Sequence, residues 1–351
     1  SLPLQMGVET VQIEQGFEAE LRSVDAVRCP DGGVSGRGDV MLLDPGLNAA
    51  ARTVNQLLAA GARVSRLEPG DGAHEAGTFV IEGVTRDTVE RIARETHVLA
   101  TASTGRDLST NRRALRMPRI GLYRSWRPNG IDEGWTRWLL EQYEFEFENI
   151  TDADIRRGAL HPRFDAIVLP DLAAERILSG HPTGTMPPEY VGGIGKDGAE
   201  QLRQFVAAGG TLITLDSSSE IAVTLLGAPL RDVTRGLAPN EYFCPGSIVR
   251  IELDADPLTY GVPRETAGFC SFNTGYEIAA RSSADAGAAT ARVIGRYATN
   301  GVLMSGWLEG EKVIAGKGAM VEVKAVQGRA VFFAFRPQHR AQAHSTFRLF
   351  F

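Results

Sequence analysis

The residues best suited to chemistry lie in GGTLITLDSSSEIAVTLLG, residues 209–227, where Asp216, Ser217, Ser218, Ser219 and Glu220 separate an apolar run from a small-residue helical stretch. A serine at a strand-to-helix turn can act as a nucleophile when a histidine takes its proton and a carboxylate orients that histidine. Here Ser217 or Ser218 would be the nucleophile, His339 the base, and Asp132 or Glu133 the orienter. Two features of the same residues point elsewhere. The elbow of α/β-hydrolases carries Gly on both sides of its nucleophile so that the strained turn can pack, and LDSSSE has none. Ser and Asp are also ordinary N-cap residues, whose oxygens accept from the free N–H groups of a helix start. The serines are therefore expected to cap the next helix, with the hydrolytic constellation as the alternative.

Ligands of open parallel sheets bind beyond the carboxyl ends of the strands. Those ends collect Arg124, Trp126, Asp132 and Glu133 after RIGLY, Asp171 after FDAIVLP, Asp216, Ser219 and Glu220 after TLITL, and Arg336, His339 and His344 after VFFAF. This polar set is the candidate binding site. Metal binding has little support: no H-E-x-x-H occurs, none of the six histidines has Glu three residues on, and His339 and His344 are too far apart to share a helix face. GGIGKDG lacks the spacing of a phosphate-binding loop. No metal or cofactor is expected in this chain.

The elements that must position these residues read as two units. Over residues 1–117, DVMLL, RVSRLE, GTFVIEG and VLATAS read as strands. Between them lie two helices: one capped by Asp44 with Pro45 at its first position and Gly61 as its stop, the other in TRDTVERIARETH. This is a small α/β domain. GRDLSTNRRALRMP, polar and basic, reads as a linker.

From 118 to 351 the order RIGLY, IDEGWTRWLLEQY, FEFENI, a short helix and FDAIVLP implies parallel pairing. The first helix places Ile131, Trp135, Trp138, Leu139 and Tyr143 on one stripe. In KDGAEQLRQFVAAGG, Asp197 and Glu200 have capping-box spacing and Leu202, Phe205 and Val206 form the buried face. A β-rich insertion is expected at about 228–318, then a hairpin turning at Gln327-Gly328 and a final helix in HRAQAHSTFRLFF. The fold class is thus α/β: an open, mostly parallel sheet flanked by helices, with a β-rich insertion, preceded by a smaller α/β domain.

Composition removes several function classes. The chain has 351 residues, a net charge of -6, 43% hydrophobic and 23% charged residues, the balance of a globular protein. Without a Lys/Arg block it lacks the footprint of a nucleic-acid binder, and no apolar run reaches the length of a membrane span. Only four of the 37 basic residues are Lys, so each Arg is weak testimony for an anion site. Cys29, Cys244 and Cys270 have no metal-ligand spacing; they read as buried thiols, or as a Cys244–Cys270 bridge if the protein is exported. The chain opens on SLPLQMGVE without a leader pattern, as an interior piece of a longer protein would.

The strand order, the helix ending in Gly-Gly, the turn after TLITLD and the His-bearing segment after the last strand resemble the class I glutamine amidotransferase-like fold. Its elbow cysteine and His-Pro-Glu segment are replaced here by DSSSE and RPQHRAQAH, so the nucleophile is lost. DEGWTRWLLEQY, GTMPPEYVGGIG, AGGTLITLDSSSE, YFCPGSIVR, SGWLEGE and FRPQHRAQAHSTFRLFF, with LPLQMGVE, resemble the C-terminal region of a bacterial group of zinc carboxypeptidase-like proteins. That resemblance spans nearly the whole chain, most strongly from residue 119. It implies an exported parent whose zinc and peptidase domain lie upstream of Ser1. This chain would be a non-catalytic module that supports that peptidase domain or binds a peptide or polymer. A third reading, a pure interaction module, expects exposed apolar surface on residues 1–117.

Overall fold

A computed structural model of the chain describes residues 2–351 apart from 12, 70–73, 106, 107, 109, 110, 130, 272–274 and 280–288. A short helix, α1 (Leu2–Met6), is followed as far as residue 32 by a stretch whose described residues form no helix or strand. The described strands then form two sheets.

The first is built from β1 (Gly33–Gly36), β2 (Val40–Leu43), β3 (Arg63–Leu67), β4 (Phe79–Glu82), β5 (Leu99–Ser103) and β6 (Arg112–Ala114), in the spatial order β1-β5-β2-β4-β3-β6. Helices α2 (Asn48–Ala59) and α3 (Arg86–Glu95) bury Val54, Leu57, Val89 and Ile92 in its core. Thr85 caps α3 by accepting from the Thr88 amide. Asp44 does not cap α2: its Oδ1 accepts from the Gly46 N–H at 2.6 Å, which closes a turn around Pro45 and delays the helix to Asn48. The expected linker also contributes structure, because β6 pairs antiparallel with β3.

The second sheet begins as a parallel α/β unit. β7 (Ile120–Tyr123), α4 (Asp132–Gln142), β8 (Phe147–Ile150), α5 (Asp152–Arg157), α6 (Leu160–Arg163) and β9 (Ala166–Leu169) follow one another. Next come α7 (Ala174–Ser179), α8 (Gly195–Ala207), β10 (Thr211–Leu215) and α9 (Ser219–Leu226). The remaining strands are β11 (Leu230–Asp232), β12 (Ser247–Leu253), β13 (Glu265–Cys270), β14 (Tyr276–Ile278), β15 (Thr290–Tyr297), β16 (Leu303–Ser305), β17 (Gly318–Ala325) and β18 (Gly328–Phe333). The main path is β13-β12-β15-β17-β18-β10-β9-β7-β8. From β18 to β8 every pairing is parallel, and from β18 to β13 every pairing is antiparallel.

The expected β-rich insertion is thus part of the same sheet. The β17–β18 hairpin makes this join, since β18 lies parallel to β10 on one side and antiparallel to β17 on the other. Numbered along the chain, the parallel strands stand in the order 2-1-3-4-5, which puts the topological switch between β7 and β9. Leu122, Tyr123, Ile167, Leu169, Leu212, Leu215, Phe332 and Phe333 are buried along these strands.

Three local expectations change here. The buried face of α4 is Asp132, Thr136, Leu139 and Leu140, while Ile131 and Trp138 are exposed, so the helix is rotated to bring a carboxylate inward. Helix α8 buries Leu202, Phe205 and Val206 as expected but has no side-chain cap: it already starts at Gly195, which puts Asp197 inside its first turn, and Glu200 pairs with Arg203. The last segment is not one helix: Arg340 and Ala341 have left-handed φ of 46° and 52°, and only Phe347–Phe350 is α-helical after them. That broken segment, with the end of α4, ties the two sheet units together. Asn48 Nδ2 donates to the His344 carbonyl at 2.8 Å, Arg348 Nη1 to Gly46 O at 2.5 Å, and Asn55 Nδ2 to Tyr143 O at 2.9 Å.

Candidate functional site

Between β10 and α9 the chain passes through Asp216 with φ of +53°. A left-handed non-glycine at this junction is the backbone of a nucleophile elbow, which needs small residues two positions to either side. Thr214 and Ser218 hold those positions and are completely buried. The elbow residue is therefore Asp216, one or two residues before the serines to which the sequence points.

Nor do the serines cap α9. The turn Asp216–Ser218 is a single 3₁₀ turn continuous with that helix, so N–H groups at the junction already bond to the carbonyls of Asp216 and Ser217. Ser218 Oγ turns back instead, accepting from the Leu215 N–H at 2.9 Å, with Leu169 O and Leu215 O also at 2.9 Å. Ser219 Oγ lies 2.9 Å from Thr214 Oγ1. The Ser218 hydroxyl thus staples the end of β10 to β9. Ser218→Ala, which strands a buried N–H, is expected to cost about 1–3 kcal/mol, whereas half-buried Ser217→Ala should stay within about 0.5 kcal/mol. Urea unfolding of the two variants checks this difference.

Around the elbow three carboxylates meet one guanidinium. Arg336, just past β18, places Nε 2.7 Å from Asp216 Oδ2 and Nη2 2.7 Å from Asp171 Oδ2. Asp171, beyond β9, also receives Asn129 Nδ2 at 2.7 Å and the Ser217 amide at 3.2 Å. Asp132, at the start of α4, accepts at Oδ2 from the Asp171 amide at 2.9 Å and from Gln338 Nε2 at 3.1 Å. The Gln338 amide also reaches Thr136 Oγ1 at 3.1 Å, and its Oε1 is buried without a partner. All three Asp side chains are almost wholly buried, at 5% exposure or less.

One positive charge cannot compensate three buried negative ones, so protons are retained. Burial pushes the Asp132 carboxyl up to about 6, against the lowering pull of the Asp171 amide and Arg336. Burial and then the charge of Asp171 hold Asp216 well above the usual carboxylate range, although Arg336 opposes them. Burial works to lower Arg336, but Asp216 and Asp171 outweigh it and raise it. The cluster is a charge-sharing tie that joins β7, β9, β10 and β18 beyond their carboxyl ends.

The other predicted residues divide. His339 is near enough to Arg336 to feel its charge, and burial followed by that charge lowers it to about 3. Its ring stacks on Phe269 with centroids 3.4 Å apart, and no hydrogen bond joins it to Ser217 or Ser218 among the described residues. His344 lies at the junction of the two sheet units, against Phe347, and not at the elbow. Arg124 is exposed over Trp126, which packs edge-on against Tyr190 at 4.9 Å. Glu133 faces Arg137, and Glu220 pairs with Arg235 at 2.8 Å. Cys244 and Cys270 are buried free thiols, with Cys244 Sγ 3.6 Å from the Cys270 carbonyl.

A cleft of about 490 Å³ opens beside the elbow. Asp216, Ser217 and Glu220 line it from the elbow side, and Arg231 and Asp232 of β11, Arg235 just after it and Tyr276 of β14 from the other. Its wall therefore presents both signs of charge and one aromatic ring. Sequence reasoning collected the elbow side but missed Arg231, Arg235 and Tyr276, which reach the cleft only because β11 and β14 fold over it. Asn129, Thr136 and Gln338 were also missed, and no pattern marks them. Among the described residues no group of three His, Cys, Asp or Glu could hold a metal ion, and no helix is long and apolar enough to cross a membrane.

No family model matches the chain, and no curated protein matches it. Among solved structures it is similar to a β-galactosidase from Bacillus circulans sp. alkalophilus, at 13% identity and a TM-score of 0.37 over 66% of this chain and 30% of that one. It is also similar to a cytoplasmic protein of Salmonella typhimurium, at 12% identity and a TM-score of 0.39 over 66% of this chain and 97% of that one. A protein described as ThuA-like from Bacteroides uniformis aligns at 9% identity and a TM-score of 0.38, over 66% and 91% of the two chains. The chain thus spans under a third of the β-galactosidase.

Proposed function

We propose that this chain is a non-catalytic accessory module of an exported zinc carboxypeptidase-like protein, which offers the cleft beside Asp216 to a peptide or polymer and supports the peptidase domain. The observation that carries the reading is the elbow itself. Its left-handed position holds Asp216, whose carboxyl is buried and bonded to Arg336, so the place that a nucleophile occupies in the amidotransferase-like fold is given to a structural tie. The zinc of the parent belongs to the upstream domain, and no residue of this chain is assigned to it.

Two features support a binding role. The cleft wall, with Arg231, Arg235, Asp232 and Glu220 around Tyr276, suits a zwitterionic backbone carrying an apolar side chain. The stretch before β1 also leaves Val8, Val11, Ile13, Phe17, Leu21, Val24 and Val27 each more than half exposed, as a segment covered by a neighbouring domain would.

Fluorescence anisotropy with a labelled pool of mixed-sequence peptides, read beside mass spectrometry of the same peptides, tests the proposal. Saturable binding that weakens about tenfold in Arg235→Glu, equivalent to about 1.4 kcal/mol, with every peptide intact, is the expected result. Cleavage that disappears in Ser217→Ala or Ser218→Ala would replace the binding role with a hydrolytic one.

A further inference from the structure

A second cleft, of about 200 Å³, lies between the two sheet units, far in the chain from the elbow residues. Its apolar wall comes from both units: Leu47, Val54 and Leu58 of α2 and its approach, Phe79 of β4, Leu115 after β6, and Phe351 at the other end of the chain. Three arginines and no carboxylate side chain line it among the described residues. One of them, Arg116, is already neutralised by a two-pronged pair with Asp165 at 2.7 and 2.6 Å. The other two make no ion pair with a described residue, and feel Glu68 and Asp44 only at longer range. The Arg66 guanidinium makes no hydrogen bond or ion pair with a described residue; it rests over the face of Tyr260, 5.0 Å from the ring centroid, and its Nε is buried without a partner. Arg348 donates through Nη1 to Gly46 O and Asn48 Oδ1, and its Nε too is buried without a partner.

Leaving guanidinium N–H groups unsatisfied at an apolar wall is costly, and proteins pair such groups with anions. Burial lowers both Arg66 and Arg348 from the usual guanidinium value, and the opposing pull of Glu68 on Arg66 and of Asp44 on Arg348 does not outweigh it. A planar guanidinium presents a fork of donors that fits a carboxylate. The volume sets the size of the rest: an apolar cavity of about 150 Å³ takes a benzene ring, so this cleft has space for a ring and one small charged group.

We infer that the cleft between the two units is a binding site for a small aromatic or short-chain carboxylate, its charge held by Arg66 and Arg348 and its apolar body against Leu58, Phe79 and Phe351. Because its walls belong to both units, occupancy would also brace their junction. The site is independent of the elbow cleft and of the role proposed for it.

Isothermal titration of the chain with phenylacetate tests this, with phenylacetamide as the uncharged isostere. The expected result is saturable binding of one phenylacetate per chain, at least tenfold weaker for the amide, and weakened at least tenfold by Arg66→Met and by Arg348→Met. Leu58→Trp, which fills the cleft without touching either arginine, should abolish binding while the far-ultraviolet spectrum stays unchanged, and so keeps the test decisive if an arginine variant misfolds. Absence of saturable heat at millimolar phenylacetate, equal affinity for the amide, or binding that survives Leu58→Trp would each overturn the inference.

Discussion

Replacing Arg336 with methionine is expected to destabilise the chain by about 3–5 kcal/mol at neutral pH, the range for removing one partner of a buried ion pair. Methionine keeps much of the volume, so the loss reports charge and not packing. The Arg336 side chain is 19% exposed and Asp171 and Asp216 about 1–2%, so solvent screens the tie little. Without the guanidinium, Asp171 keeps only the neutral donors Asn129 and the Ser217 amide, Asp216 keeps no donor among the described residues, and the buried negative charge of the cluster is no longer offset. The deficit should therefore shrink as the pH is lowered toward 4, where Asp132 and Asp216, both held above the usual carboxylate range, carry protons and reduce that charge. Urea unfolding of the variant and its parent at neutral and acidic pH measures this. A loss below about 1 kcal/mol that does not change with pH would mean that the carboxylates are not held by Arg336.

Asp132→Asn carries the second large effect, opposite in sign. Asp132 titrates near 3.8 when unperturbed and about 6 in the folded chain. A carboxyl raised by folding binds its proton more tightly in the native state. Its contribution is therefore fully present below pH 3.8, is lost as pH rises from 3.8 to about 6, and is absent above. A shift of that size corresponds to about 2–3 kcal/mol between the two ends of the window. An amide at this position cannot ionise, still accepts from the Asp171 N–H, and brings a donor to the cluster in which Gln338 Oε1 lacks a partner. The variant should lose the decline between pH 4 and 6 and be more stable than its parent at neutral pH by about 1–2 kcal/mol. The discount allows for the lost attraction to Arg336. A pH series of thermal or urea midpoints decides it, and an unchanged slope would show that Asp132 is not the titrating group.

Both effects arise at residues that the sequence could place but not interpret. The carboxyl ends of the parallel strands were legible because strand order, helix stops and Gly-Gly turns are local signals. Asp132, Asp171, Asp216 and Arg336 all appeared on that list. Their mutual geometry was not legible, because it depends on how β7, β9, β10 and β18 stand side by side, and the first and last of those strands lie more than two hundred residues apart in the chain. The three serines drew attention as the only hydroxyls at the turn. Yet the left-handed position fell one residue earlier, on an Asp that tolerates positive φ better than most side chains. The rotation of α4 shows the same limit. Its apolar periodicity favours Trp135 and Trp138, but with Asp132 turned inward Trp138 is exposed and Trp135 only half-buried. The β-rich stretch looked like an insertion because its strands alternate and turn often. Only the two-sided pairing of β18 makes it one sheet with the parallel strands.

The most direct test of the central claim, that the elbow is a structural tie and not a catalytic centre, is intact-mass analysis after exposure to a fluorophosphonate that labels activated serines. The account predicts no adduct on the folded chain: Ser218 Oγ is committed to Leu215 and Leu169, and no histidine hydrogen-bonds to Ser217 among the described residues. Stoichiometric labelling of Ser217 or Ser218, abolished by His339→Ala, would contradict it and restore the hydrolase reading.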